Sequence, residues 1–197
     1  LKQTETTYRN NLSIYPYWKN AKLRITISLF CLIAPLYAFT NNQSANSYIV
    51  NYAPLAQSLS DQTGIPASVI LGIALIESGH GSGLNTRMLK NHFGVKGKNH
   101  LPSQGINYHS MYRSYRSDEA SFGHFCTIIK RKAYYASMKG NMAYMEWLMK
   151  INKGYYSSAG MVWVEKIAQA IKIHRLNKYD RDFERLAGSP RMNWLHS

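Results

Sequence analysis

Ile65 to Gly97, IPASVILGIALIESGHGSGLNTRMLKNHFGVKG, reads as an apolar helix that stops at a carboxylate. Pro66 suits a first helical position, where its missing N–H costs nothing. Ile70, Ile73, Ala74 and Glu77 follow at i, i+3, i+4 and i+7, the spacing of one helix face. Val69 and Ile76 widen that stripe. Glu77 is therefore expected to project from the buried face. Gly79, Gly81 and Gly83 end the helix directly afterwards.

A carboxylate held against apolar packing loses hydration and binds its proton more tightly. The negative end of the helix dipole acts in the same direction. A glutamic acid that keeps its proton near neutral pH can serve as a general acid. The alternative is a helix-end Glu that rolls outward into water.

The rest of the chain arranges itself around this helix. Residues 1–38 are read as an N-terminal extension and export signal. Lys19, Lys22 and Arg24 precede the apolar run Ile25 to Ala38, which is short for a membrane span. Cleavage is expected after Ala38, and the alternative is an uncleaved anchor that would attach the protein to a membrane. Residues 39–47 form a polar linker. Tyr48 to Thr63 is expected to be the first helix of a domain spanning 48–180, with Tyr52, Leu55, Ala56 and Leu59 on its apolar face. Ser117 is a helix N-cap, with Asp118 and Glu119 in the first turn. Asn141 is expected to cap a helix over 142–150. Ala159 to Ile173 is the last helix, with Trp163, Ile167, Ala170 and Ile171 inward. Ile106 to Tyr115 is read as a hairpin strand, and residues 181–197 as a C-terminal tail. Cys126, in an apolar helical stretch, is expected to be buried rather than catalytic. The seven His residues show no ligand spacing, so no metal and no cofactor are expected.

Four short motifs occur in a fixed order. They are Glu77-Ser78-Gly79, Gly81-Ser82-Gly83-Leu84, Asn91-His92-Phe93-Gly94-Val95-Lys96-Gly97 and Tyr112-Arg113-Ser114-Tyr115-Arg116-Ser117, with a weaker echo at Gly154-Tyr155. Together they resemble glycoside hydrolase family 73, the glucosaminidases, which are peptidoglycan hydrolases related to flagellar muramidase-like proteins. The family pattern is roughly E-S-G-W-G-x-S-G-L, then N-x-F-G-I-K-G and F-R-x-Y-x-S. Here His80 replaces an aromatic, and the spacer after the second Gly is absent. The resemblance covers about residues 48–180. It implies an α+β, lysozyme-like fold, mostly helical with a small β-lobe, and Glu77 as general acid. Tyr155 matches a tyrosine that the family keeps near the catalytic Glu. Asn91, Phe93, Tyr112 and Tyr115 are the expected substrate-side residues, because aromatic faces stack on sugar rings.

Glycosidases generally work with two carboxylates. Many family members carry a second Glu on a strand of the β-lobe, yet no Asp or Glu lies between Lys96 and Tyr112. Asp118 and Glu119 are nearest in sequence, and both are expected to serve the helix dipole. The substrate's 2-acetamido group could then act as nucleophile, or a water held by a Tyr and backbone carbonyls could attack.

The chain carries a formal charge of +14, of which the first 38 residues contribute five Lys/Arg and one Glu. A basic exported protein is drawn to the polyanionic cell envelope. Nucleic-acid binding is not expected, because the charges form no dense stripe and no recognition motif accompanies them. The expectation is a monomer exported to the periplasm or envelope, hydrolysing the β-1,4 bond after N-acetylglucosamine in peptidoglycan glycan strands. A lytic transglycosylase or muramidase of the same fold is the enzymatic rival, although N-H-F-G-V-K-G stands where a transglycosylase carries G-L-M-Q. A non-catalytic wall-binding module is the other alternative.

Overall fold

The computed structural model describes residues 44–106 and 109–181. The expected export signal and most of the linker lie outside the described residues, as does the tail beyond Arg181. The chain is helical over 44–63 (α1). α2 (Ala67–Glu77), α3 (Leu84–Leu89), α4 (Asp118–Lys130), α5 (Tyr135–Met138), α6 (Tyr144–Lys153) and α7 (Gly160–Ile173) follow, with 3-10 turns at Pro102–Gln104 and Leu176–Tyr179. The first helix thus begins before Tyr48, inside the segment read as linker, and Ala45 is already buried. None of the helices among the described residues is long and apolar enough to cross a membrane.

α2 is the hub. Every residue from Ala67 to Leu75 is buried. α7, α6, α4 and the final 3-10 turn all pack against it. Gly72 makes the closest of these approaches possible: a Cβ there would lie 2.8 Å from Ile171 Cγ1 and 3.4 Å from Ile167 Cγ2. The N-terminal end of α2 is capped from far along the chain, because the Asp180 carboxylate accepts the Ser68 N–H at 2.7 Å. As expected, Trp163, Ile167, Ala170 and Ile171 face inward from α7. Ser117 caps α4 by accepting the Ala120 N–H. Asn141 acts one turn ahead of α6, accepting the Ala143 N–H at 2.8 Å, and α6 itself starts at Tyr144.

The expected β-lobe is corrected to something smaller. Among the described residues there is no strand, only one isolated antiparallel bridge between Lys96 and Tyr112. The two segments do run side by side, with Arg113 N–H donating to Val95 O and Gly97 N–H to Met111 O. The ladder stops because a side chain takes the next acceptors. The Asn99 amide donates to Ser110 O at 2.7 Å and to Tyr112 O at 3.0 Å. Carbonyls satisfied in this way need no strand partner.

Candidate active site

Glu77 is the last residue of α2, where the helix emerges from the core. Its side chain is exposed, which corrects the expectation of a carboxylate buried on an apolar stripe. The reason lies in α2 itself. A helix buried all round has no single apolar face, so periodicity cannot say which way its final residue points. The outward alternative is the one realised, and desolvation by apolar packing is not what conditions this carboxylate.

Glu77 is held by a hydrogen bond instead. Trp163 Nε1–H donates to Oε1 at 2.7 Å. The other oxygen points toward the 93–97 segment: a Cβ on Gly94 would lie 3.3 Å from Oε2 and 3.8 Å from Tyr112 Cε1. Gly94 also has φ +64°, a conformation that other residues adopt at a cost. The turn after Glu77 is knitted by Ser78, whose Oγ accepts from Gly81 N–H and whose carbonyl accepts from Gly83 N–H. Glu77 therefore sits beside a rigid turn, with a backbone segment and the edge of Tyr112 beyond its free oxygen.

The site residues expected from sequence divide sharply. Glu77 and Tyr112 come together around Gly94. Asn91 is corrected to a brace, being 1% exposed with both ends of its amide committed. Its Nδ2 donates to Val95 O and Arg113 O, and its Oδ1 accepts from Phe93 N–H and Val95 N–H. Phe93 is corrected to core, stacked on Phe125 with centroids 4.3 Å apart and crossed edge-on by Phe122. Tyr115 turns toward α4, where its hydroxyl lies 2.7 Å from His124 Nδ1.

Tyr155 is 94% exposed on a turn with φ +58°, and the tyrosine that lies near Glu77 is its neighbour. Tyr156 packs its ring 5.8 Å from Trp163 and donates its hydroxyl to Phe93 O at 2.7 Å. Burial first, and then the negative charge of Glu77, push the Tyr156 phenol well above its usual range. It stays protonated as a donor to the 93–97 segment. Trp163 is legible in the sequence only as an inward residue of the last helix, and Tyr156 only as one of 15 tyrosines. Nothing in their spacing says that an indole N–H meets Glu77.

Among the described residues, Asp61, Asp118, Glu119, Glu146 and Asp180 are engaged elsewhere. Tyr52 donates to Asp118 Oδ2 at 2.7 Å, and His92 Nε2 lies 3.1 Å from Oδ1. Tyr48 O–H meets His92 Nδ1 at 2.7 Å, so a Tyr–His–Asp–Tyr chain, buried at Tyr48 and His92 and half-buried at Asp118 and Tyr52, links α1, the 91–97 segment and α4. Burial pulls the Asp118 pKa upward, but the bond from Tyr52, the neighbouring His92 ring and the charge of Lys90 outweigh it and hold the group below its usual range. Burial also holds His92 below the usual imidazole range. That fits a neutral ring, with Nδ1 accepting from Tyr48 and Nε2 lying 3.1 Å from Asp118 Oδ1 without an aligned hydrogen bond. Glu119 is exposed and bonds Ser117, Glu146 bonds Asn141, and Asp61 pairs with Arg181 at 2.7 Å. Cys126 is buried and its thiol is pushed up to about 12 by burial, which leaves it unreactive.

No curated protein sequence matches the chain. Among solved structures, the catalytic domain of the autolysin Auto from Listeria monocytogenes superposes with a TM-score of 0.57 at 17% identity, covering 70% of this chain and 88% of that one. An N-acetylmuramoyl-L-alanine amidase from Staphylococcus aureus gives a TM-score of 0.57 at 20% identity, covering 72% of this chain but only 47% of that one. The glycoside hydrolase domain of FlgJ from Salmonella typhimurium gives 0.52 at 18% identity, covering 76% of this chain and 97% of that domain. At these identities the likeness establishes a shared fold. The family model for glucosaminidases, described as mannosyl-glycoprotein endo-beta-N-acetylglucosaminidase, matches residues 53–176, from within α1 to the first residue of the last 3-10 turn. With that model spanning most of the chain and Glu77 at the open end of its central helix, the protein belongs to the glucosaminidase family of glycoside hydrolases.

Proposed function

We propose that the chain hydrolyses peptidoglycan at the β-1,4 bond after N-acetylglucosamine, with Glu77 as general acid. The observation that supports this most is the placing of one exposed carboxylate at the end of a buried helix, with one oxygen bonded and the other open. Glu77 Oε2 gives its proton to the glycosidic oxygen as the C–O bond breaks. The described carboxylates with known partners are committed away from Glu77, and Glu165 is exposed on α7 two residues beyond inward-facing Trp163. That favours attack on the anomeric carbon by the oxygen of the substrate's own 2-acetamido group. Water then opens the resulting ring, returning its proton to Glu77.

Tyr112 offers an aromatic edge to a sugar ring beside Gly94. The positive charge of the chain suits a polyanionic wall, and action on that wall requires export to the envelope. Digestion of purified peptidoglycan, with mass spectrometry of the new reducing ends, tests the reading. N-acetylglucosamine ends, formed first as the β-anomer, are expected. N-acetylmuramic ends would make the protein a muramidase, anhydro ends a transglycosylase, and an α-anomer would overturn the acetamido step.

A further inference from the structure

Glu77 has three rotatable bonds and no apolar wall around its head, so something must choose which oxygen reacts. The indole N–H of Trp163 is the group in contact with it, at 2.7 Å from Oε1. Trp163 is 5% exposed and fixed by the Tyr156 ring on one side and by the α2–α7 contact on the other. Gly72 meets Ile167 and Ile171 late in α7, while Glu77, later in α2, meets Trp163, earlier in α7. The helices therefore run antiparallel, and the close approach at Gly72 brings Trp163 down over the end of α2.

Indole is a donor that cannot accept a hydrogen bond. An oxygen already facing an N–H cannot also present a proton toward it. We propose that Trp163 is a positioning residue for Glu77, reserving Oε1 so that the acidic proton resides on Oε2, the oxygen that faces Gly94 and Tyr112. This rests on the reading of Glu77 as general acid and goes beyond it by assigning each oxygen a separate task. A tyrosine or histidine at position 163 could both donate and accept, and would leave the proton free to sit on either oxygen.

The test uses the full chain and two variants, Trp163→Phe and Glu77→Gln. Phe keeps most of the ring bulk and removes the N–H. A hydrogen bond to an ionised group matters by enough to change a rate about tenfold or more. Turnover of soluble peptidoglycan fragments by Trp163→Phe should fall in kcat by about that factor, with KM within about twofold. A merely structural role would lower the melting temperature and leave kcat of the folded fraction intact, which would refute the assignment.

A second measurement needs no turnover. One indole ¹⁵N–¹H signal, the one missing in Trp163→Phe, should move as Glu77 titrates and stand still in Glu77→Gln. A signal that ignores pH, or that moves equally in both proteins, would overturn the proposal. Should Trp163→Phe fail to fold, loss of one titrating indole signal between wild type and Glu77→Gln decides the matter. Full turnover by Glu77→Gln would instead remove the general acid itself. Unchanged kcat in Trp163→Phe beside an inactive Glu77→Gln would remove the role of Trp163 alone.

Discussion

Replacing Asp180 by Asn should change how stability depends on pH. Asp180 reaches across 112 residues of sequence to accept the Ser68 N–H at the start of α2. The residue is 9% exposed. Burial pushes its pKa up to about 6, against the pull of N–H bonds from Ser68 and Ala67. An Asp in an unfolded chain titrates near ~3.9, so the shift is about two units, or about 3 kcal/mol. Between pH ~4 and ~6 the folded protein holds this proton and the unfolded chain does not. Asp180 therefore makes the protein more stable as pH falls through 6 toward 4, the opposite of an ion-paired carboxylate. At roughly 2–4 °C per kcal/mol for a domain of this size, its share of the melting temperature between pH 7 and pH 4 is about 6–12 °C. The Asp180→Asn protein should lack that share, because the amide stays neutral throughout. Thermal unfolding of both proteins at half-unit steps across this range measures the difference. Equal slopes would show that Asp180 titrates like an exposed carboxylate and that the burial argument is wrong.

Three other outcomes follow from the site. Glu77→Gln should lose at least about 10²–10⁴-fold in turnover, the usual reach of general acid–base catalysis. It should still bind peptidoglycan and melt close to wild type, because a Gln oxygen can accept the Trp163 N–H; near-normal turnover in the folded variant would defeat the mechanism. Asn91→Ala strands backbone groups of Phe93, Val95 and Arg113, at about 1–3 kcal/mol for each buried group left unpaired. A lower melting temperature is expected, and a fully stable variant with only KM raised would restore Asn91 to the substrate. Asp118→Asn breaks the Tyr48–His92–Asp118–Tyr52 chain as well as a helix-dipole contact, so denaturant titration should show a loss above the ~0.3–1 kcal/mol expected of the dipole alone. Activity of the folded protein should survive, and a loss as deep as that of Glu77→Gln would mark Asp118 as a second catalytic group.

What could be read from sequence follows the range of the interactions involved. The order of the helices, the Ser117 cap and the inward face of α7 are local patterns, and they stand in the structure. Glu77 could be picked out, but its exposure could not, because α2 is apolar on every side and carries no phase information. The β-lobe failed for a different reason: the Asn99 side chain replaces the ladder, and propensity does not report such a substitution. Asn91 and Phe93 lie inside the motif that resembles the family, yet both are buried and hold the segment in shape. A motif records that residues are needed together and is silent on which of them look outward. The Trp163–Glu77 bond joins residues 86 apart in sequence, and the Tyr48–His92 contact joins residues 44 apart. No spacing rule reaches across such distances.

The contact at Gly72 sets a register as well as a spacing. Measured from Ile171, Trp163 lies eight residues back along α7, and Glu77 lies five residues forward from Gly72 along α2. Both helices behave as rulers marked in turns. Inserting or deleting one residue in α7 between Trp163 and Ile167 would rotate the indole by about 100° and slide it by about 1.5 Å. That single event would carry the N–H off the carboxylate while leaving every side chain chemically intact. The loop from Asn99 to Gly105 lies outside this register and can change length without disturbing it. Descendants of this protein should accordingly record insertions and deletions in that loop and none between residues 163 and 171, a signature of selection on helix phase rather than on any one residue.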